Sequence, residues 1–365
     1  MDKGNIKIGI ATFHRPVNYG AVLQAYALQK TIKKLGYECE IIDFATQKHR
    51  DAYDPTKIQN QIYKKTANYN IIRYQKFQEF IENELNLSKH AFLTSKEFEN
   101  SEEIKSYDIV ITGSDQIWNL DFRGNGWYSD FYFMPYPQIK HRIAYAPSMG
   151  SSNRSKLMPY IDFMKQYDYI FMREKSGAEM VGSLLGMDIG QVEDPTFLIS
   201  KDEWCSNNEC THKPYLLYYE VGYVEGGLSI AKMMAKKFHL ALKVISLKDI
   251  YKECNLEYIH DAGPLDFVAY IQHASLVITT SFHGTAFSIN LGIPFYSVIS
   301  NKNISRIKTI LVETGLEDRM ITIGDCDKIS DYQVDYTSVR PLIEKKRNHS
   351  ISILKKSIDQ VMETY

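Results

Sequence analysis

Apolar strand-like runs alternate with helical patterns along most of the chain, and this alternation limits the fold more than any other feature of the sequence. The first example is complete within 45 residues: IKIGIATF is followed by a polar loop, by the helix-like segment AVLQAYALQKTIKKLG and by a second strand-like run, ECEIIDF. Repeated strand–helix–strand units are typical of parallel sheets covered by helices. We therefore predict an α/β fold.

The alternation stops in a polar stretch near residues 200–213, and a fresh series begins at PYLLYYEV. A chain of 365 residues fits two domains at about 150 residues each. We predict two Rossmann-like domains facing a cleft, the layout called GT-B: residues 1–205, with a helical insertion at about 56–100, and residues 213–335. A terminal helix over 336–365 should pack back against these domains. Ligands of such sheets bind at the carboxyl ends of the strands.

Charge and hydropathy limit the kinds of partner that this chain is expected to bind. The chain has 43 Lys and Arg against 44 Asp and Glu, which gives no basic excess for a nucleic acid. No apolar run approaches the roughly 20 residues that span a bilayer, and the chain starts with a strand-like run and not with a signal-type segment. These features predict a cytoplasmic protein without a nucleic-acid partner.

Metal sites are not expected. The five cysteines are an odd number in a chain too long to need disulfides. Cys205, Cys210 and His212 lack a fourth ligand nearby, whereas closed zinc sites usually have four. The D-x-D tripeptide at 325–327 is a short and common motif that some metal-dependent glycosyltransferases use.

Two loops at strand ends suit a sugar acceptor. In the first loop Asn18 could cap the helix that follows, Tyr19 comes next, and Gly20 would let a ligand approach the amide groups. A plain capping turn fits this loop equally well. The second loop follows a buried strand and holds acceptors, donors and an aromatic face that match sugar hydroxyls and C–H groups. Its acceptor-site candidates are Asp115, Gln116, Trp118 and Asn119.

Other strand ends carry cations and a histidine. Arg173 follows the strand YDYIFM, where a guanidinium could hold a carboxylate or phosphate or could simply pair with a neighbouring acid. His283 follows SLVITTS at the start of an apolar helix and should face the cleft, and the positive end of that helix favours anions nearby. Lys302 and Arg306 lie four positions apart after the next strand; an exposed helix start is the alternative.

At these residues the chain resembles the polysaccharide pyruvyl transferase family. The likeness runs from the NYG-A-LQAYAL start through TGSDQIWN, MREKS, VEDPTFL and SFHGTAFSINLGIPF to SRIKTILVETGLEDR, and the order and spacing of these fragments are specific. The resemblance implies a GT-B-like fold and transfer of the enolpyruvyl unit of phosphoenolpyruvate (PEP) to a glycan as a ketal. It implies no required metal, and PEP is a co-substrate, so no cofactor is expected.

The resemblance also assigns residues. It implies that His283 is the family's essential histidine, Arg173 its PEP-binding arginine and Lys302 the lysine downstream of the histidine. Some members carry an arginine at the position of Ser281, and Arg306 is our candidate for the missing cation.

The predicted reaction is PEP-dependent pyruvylation of a sugar in a bacterial-type surface polysaccharide or its precursor. His283 would act as the acid/base, and Asp115 would orient or deprotonate the acceptor. Ser281 and Phe282 complete the expected PEP site. A lipid-linked oligosaccharide acceptor would imply loose association with the inner face of the membrane. Two alternatives stay open: a nucleotide-sugar-dependent GT-B glycosyltransferase and a non-catalytic glycan-binding protein.

Overall fold

The computed structural model of the chain contains two parallel sheets, each flanked by helices. The first sheet has six strands in the order β2-β1-β3-β4-β5-β6, and every neighbouring pair is parallel. The described parts of the chain are residues 6–57, 67–125, 129–150, 152–205, 213–222, 224–246, 256–299 and 304–363. The strands of the first sheet are β1 (Lys7–Ala11), β2 (Glu38–Ile41), β3 (Ile109–Thr112), β4 (His141–Tyr145), β5 (Tyr169–Met172) and β6 (Gly190–Gln191).

The second sheet is built in the same way from the later part of the chain. Its order is β12-β11-β10-β7-β8-β9, again with parallel pairs throughout. Its strands are β7 (Tyr215–Glu220), β8 (Ala241–Ser246), β9 (Glu257–Tyr258), β10 (Leu276–Thr279), β11 (Phe295–Val298) and β12 (Met320–Ile321). Two parallel sheets with helices confirm the predicted α/β class.

Helices connect nearly all of these strands. The α-helices are α1 (Tyr19–Lys34), α2 (Gln47–Tyr53), α3 (Ala67–Glu84), α4 (Ser95–Glu99), α5 (Glu103–Ser106), α6 (Arg154–Leu157), α7 (Ile161–Met164), α8 (Lys175–Leu185), α9 (Lys201–Trp204), α10 (Gly227–Lys237), α11 (Pro264–Gln272), α12 (Phe282–Leu291), α13 (Ile304–Thr314) and α14 (Val339–Glu363). Short 3-10 segments run over Leu120–Asn125, Asp130–Phe133, Met158–Tyr160, Pro195–Phe197, Glu317–Arg319 and Ile323–Lys328.

Local sequence explains where the longer helices begin and end. Asn18 accepts a hydrogen bond from the Ala21 amide and caps α1, and Gly36 follows that helix with a positive φ of 91°. The terminal helix begins at Val339 and buries its apolar face, as its helical spacing predicts. Within the described residues, none of the helices has the length and apolar composition needed to cross a bilayer.

The two sheets do not pack as separate bodies. One hydrophobic cluster contains buried side chains from both, including Ile10 of β1 and Val277 of β10. Helix α3 adds polar contacts to the second half: Arg73 Nε donates to the His260 carbonyl at 2.6 Å. This packing brings loops at the strand ends of the two sheets into direct contact.

Candidate active site

One close contact between the two sets of strand-end loops joins Gly20 and His283. Gly20 lies in the first turn of α1, after β1, and His283 lies in the first turn of α12, after β10. A Cβ atom at Gly20 would be 2.0 Å from Nδ1 of His283. Because only glycine leaves that space, the imidazole can rest on the α1 backbone.

His283 is buried in this contact. The residue is 7% exposed, and its Nε2 atom has no hydrogen-bond partner among the described residues. The nearest acid is Asp194, whose Oδ2 lies 3.5 Å from Nε2, a distance suited to an ion pair and long for a hydrogen bond. The imidazole is thus enclosed between a backbone on one side and a carboxylate on the other.

Arg173 lies at the end of β5 and is bound by two acids. Its Nε donates to Glu174 at 2.8 Å and its Nη1 donates to Asp194 at 2.8 Å, while the buried Nη2 has no partner in the part of the chain that the structure describes. The guanidinium carbon is 4.4 Å from the ring centre of Phe282. Burial disfavours the charged form, yet the charges of Glu174 and Asp194 hold the pKa of Arg173 above its ordinary value. Arg173 therefore stays a cation, and its Nη2 group and the second N–H of Nη1 are not used by any described residue.

Asp194, which our sequence analysis did not assign a role, connects these groups. Its Oδ1 accepts from the amide and hydroxyl of Thr196 at 3.0 and 2.8 Å. Its Oδ2 accepts from Arg173 and, at 3.4 Å, from the Ser114 hydroxyl. Burial would raise the pKa of Asp194, but His283 and Arg173 outweigh burial and hold it well below its usual range. An acidic residue three positions after β6 was the signal available in the sequence.

A small, partly open pocket of about 20 Å³ adjoins this cluster. It is lined by Arg173, Glu174, Asp194, Phe282 and Arg306 together with residues of α13. Burial and the nearby charge of Arg173 lower the pKa of Arg306. Within the described parts of the chain, the Arg306 side chain makes no hydrogen bond or ion pair. Two guanidinium groups thus line one small pocket, which His283 does not itself line.

Asp115 follows β3 in a strained turn. Its φ of 63° lies in the left-handed region, which is uncommon for residues other than glycine. The side chain is 9% exposed and makes no hydrogen bond to any described residue. Burial is the main cause that raises the pKa of Tyr53 and of Tyr132, and the charge of Asp115 raises both further. The Asp115 carboxylate therefore lies near both phenols. A free carboxylate held by a strained turn is typical of functional sites.

A family model described as polysaccharide pyruvyl transferase matches residues 18–303. The chain belongs to the polysaccharide pyruvyl transferase family. The match covers most of the chain and includes Gly20, Arg173, Asp194 and His283. No curated protein matches the sequence significantly.

Solved structures similar to this pyruvyl transferase family member show its fold. An Anabaena protein solved with UDP and glucose has a TM-score of 0.54 at 9% identity, covering 99% of this chain and 100% of that one. The UDP-N-acetylglucosamine 2-epimerase of Rickettsia bellii has a TM-score of 0.54 at 11% identity, covering 99% and 96%. A putative UDP-N-acetylglucosamine 2-epimerase of Listeria monocytogenes has 0.53 at 12%, covering 98% and 97%. These structures confirm the predicted GT-B-like fold.

Two aromatic residues expected at the acceptor site of this pyruvyl transferase family member are instead in the core. Tyr19 is fully buried, stacks on Phe267 at 4.5 Å and donates its hydroxyl to the Ala262 carbonyl at 3.0 Å. Trp118 is also fully buried, and its Nε1 donates to the Tyr132 carbonyl at 3.1 Å. Neither ring has a surface for a sugar, and the expectation that they bind the acceptor is corrected accordingly.

Other predicted residues are used in local structure. The Asn18 side chain caps α1, which is the alternative that the sequence left open. Ser281 was expected to contact PEP, but its Oγ accepts from the Gly284 amide at 3.4 Å and caps α12. Asn119 is 4% exposed, and its Nδ2 donates at 2.9 Å to Oε1 of Gln116, which is partly exposed. Of these four residues, Asn18 and Gln116 are partly exposed.

Some residues that the sequence singled out lie outside the described part of the chain. They are Lys302, Cys210 and His212. Elsewhere along the described chain, no three His, Cys, Asp or Glu side chains are grouped in a way that would hold a metal ion. In the D-x-D tripeptide, Asp325 accepts hydrogen bonds from the amide and hydroxyl of Thr322.

Proposed function

We propose that this protein transfers the enolpyruvyl unit of PEP to two hydroxyls of one sugar, forming a cyclic pyruvate ketal and releasing phosphate. The observation that carries the proposal is the pair of guanidinium groups, Arg173 and Arg306, in one pocket beside the Asp194–His283 contact. Membership of the polysaccharide pyruvyl transferase family supports the same reaction.

The two arginines suit a small anion with more than one negative charge. Arg173 has a buried donor without a partner, and Arg306 makes no ion pair with any described residue. Burial, and to a lesser degree the charge of Arg173, lowers the pKa of Arg306. A ligand that carries both a carboxylate and a phosphate would pair with the charge of Arg306 and accept the unused hydrogen bonds of Arg173. PEP is such a ligand, and Lys302 remains a predicted third cation.

The chemistry requires a proton donor and a base. His283 would protonate the C3 methylene of PEP to give a methyl group, which leaves C2 electrophilic. The first sugar hydroxyl would then add to C2 and lose its proton to a base. The second hydroxyl would attack C2 while the bond from C2 to the phosphate oxygen breaks, and phosphate leaves with that electron pair. Of the two hydroxyl protons, one replaces the proton given to C3 and the other is carried by phosphate.

Asp115 is the proposed group on the acceptor side. Its carboxylate makes no side-chain hydrogen bond within the described chain, so it is available to a sugar hydroxyl. Proteins of similar fold were solved with glucose and UDP, or are named for a UDP-sugar, and a sugar substrate is therefore compatible with this fold. The proposed acceptor is a sugar of a surface polysaccharide or of its lipid-linked precursor, and the latter would bring the protein to the inner face of the membrane.

The test is incubation of the full chain with PEP and a panel of oligosaccharides and lipid-linked oligosaccharides. Mass spectrometry should show a product heavier by one pyruvate less one water, with release of one phosphate. UDP- and GDP-sugars replace PEP in parallel reactions. Sugar transfer from a nucleotide would support a glycosyltransferase instead, and binding of a glycan without any turnover would support a non-catalytic role.

A further inference from the structure

The carboxylate of Asp194 is held in place by hydrogen bonds from more than one residue. Asp194 follows β6 and caps the 3-10 segment Pro195–Phe197. Its residue exposure is 2%. Oδ1 accepts two hydrogen bonds from Thr196, both 3.0 Å or shorter. The orientation of the carboxylate is therefore fixed by its own turn, and Oδ2 is left to face other elements.

Oδ2 meets groups from both sheets. Nη1 of Arg173 at the end of β5 is 2.8 Å away, and Nε2 of His283 in α12 is 3.5 Å away. The Ser114 hydroxyl, after β3, lies at 3.4 Å. One oxygen atom thus touches the arginine proposed to hold PEP and the imidazole proposed to protonate it.

The position of Asp194 Oδ2 limits which donors Arg173 can offer to a ligand and how far the His283 ring can rotate. With Nε bound to Glu174 and one N–H of Nη1 bound to Asp194, Arg173 can offer an incoming anion its Nη2 group and the second N–H of Nη1. The imidazole of His283 has the Gly20 backbone beside Nδ1 and the Asp194 carboxylate beside Nε2, which leaves the ring little freedom to turn. An orienting third group of this kind is a common part of acid–base sites.

We propose that Asp194 is a positioning residue that aligns the Arg173 guanidinium and the His283 imidazole with each other. The inference rests on the proposed function, because it assumes that these two side chains bind and protonate the donor. The alternative is that Asp194 merely neutralises the buried charge of Arg173, a task that Glu174 already shares.

The decisive variant is Asp194→Asn, which keeps the shape of the side chain and its bonds to Thr196 but removes the charge. We expect kcat to fall about 100-fold, within the range that a well-placed general acid contributes. The KM for PEP should rise far less, since Nη2 of Arg173 remains. The matched control is Asp168→Asn, which alters another aspartate–histidine pair, 3.2 Å from His141 and outside the site. It should leave kcat unchanged.

A second variant and a second readout keep the result interpretable. Thr196→Val removes one bond to Oδ1 while retaining the charge and volume of Asp194, and it should lower kcat several-fold even if Asp194→Asn does not fold. Imidazole ¹⁵N NMR, with His283 assigned through His283→Asn, should show altered His283 signals in either variant. A kcat and His283 spectrum equal to those of the unaltered protein would overturn the proposal.

The readout also separates this inference from the proposed function. If the unaltered protein releases no phosphate with any acceptor, the proposed function fails. The NMR comparison then still decides whether Asp194 orients His283: changed signals support the inference, and unchanged signals overturn it.

Discussion

Nδ1 of His283 lies 2.0 Å from the point that a Cβ atom on Gly20 would occupy. Gly20→Ala must therefore displace the imidazole or the start of α1. Overpacking should cost about 1–3 kcal/mol of unfolding free energy, partly offset by about 1 kcal/mol of helix propensity. We expect kcat to fall about 100-fold, since small misplacements of a catalytic group have effects of that size. Phosphate release and thermal unfolding measure the two effects.

The control for this variant is Gly324→Ala, where a Cβ atom would have nothing within 4 Å. That variant should match the unaltered protein in both measurements. An active Gly20→Ala protein would show that His283 need not remain where the structure places it.

Replacing the imidazole itself should separate binding from turnover. In His283→Asn the amide cannot donate a proton to the C3 methylene of PEP, so kcat should fall by about 10²- to 10⁴-fold. PEP affinity, measured by calorimetry, should not change, because the cations remain. The matched control is His141→Asn at the start of β4. Turnover by His283→Asn equal to that of the unaltered protein would remove the histidine from the mechanism.

Arg306 should contribute to donor affinity and not to the fold. Arg306→Gln removes a charge-assisted bond worth about 1.5–3 kcal/mol, which corresponds to about 10- to 150-fold weaker PEP binding. The exposed Lys308 on the same helix provides the control Lys308→Gln, which should bind PEP normally. Equal affinities for the two variants would mean that Arg306 does not contact the donor.

Trp118 should affect stability alone. Trp118→Phe keeps the stack on Phe133, 5.3 Å between ring centres, but leaves the Tyr132 carbonyl without its donor. Loss of this buried hydrogen bond should lower the free energy of unfolding by about 0.5–1.5 kcal/mol. Urea unfolding measures that loss, while the KM for the acceptor should stay constant. A raised KM at full stability would restore the acceptor role that the sequence predicted.

The ion-pair cluster around Asp43 predicts how stability depends on pH. His14, Arg15 and Arg50 all contact this buried carboxylate, and they hold its pKa well below the ordinary value against the effect of burial. Because the folded pKa is lower than the unfolded value, the stabilisation is complete above about pH 4 and is lost as the pH falls further.

The variant that tests this dependence is Asp43→Asn, which should lower the free energy of unfolding by about 3–5 kcal/mol at pH 6. The difference from the unaltered protein should shrink as the pH falls from 4 towards 2. Asp162→Asn, at a carboxylate whose side chain is 92% exposed, is the control. A difference that stays constant between pH 6 and pH 2 would contradict the role of the cluster.

The sequence predicted most of the fold because strand–helix alternation is local. It also placed His283 after β10 and Arg173 after β5, since both positions follow from the end of an apolar run. It did not separate a polar residue that meets ligand from one that caps a helix, as Asn18 and Ser281 show. Both roles use the same hydroxyl or amide at the same helix position.

Long-range contacts explain the remaining errors. An aromatic residue after a strand has the same local sequence whether it faces a sugar or the core, and only the packing of Phe133 and Tyr132 decides the matter for Trp118. The role of Asp194 likewise depends on His283, 89 positions away, and this pairing is not visible in either local sequence.

The stack of Tyr19 on Phe267 joins helices that belong to different sheets. Both rings lie in one apolar cluster that continues from β1 through to the terminal helix. A chain cut in the polar stretch between the sheets would expose that cluster on each fragment, at a cost of about 25 cal/mol for every Å² of apolar surface. We therefore expect the two sheet-containing parts of the chain to unfold together in a single cooperative transition. Neither part should be a stable protein when it is expressed by itself.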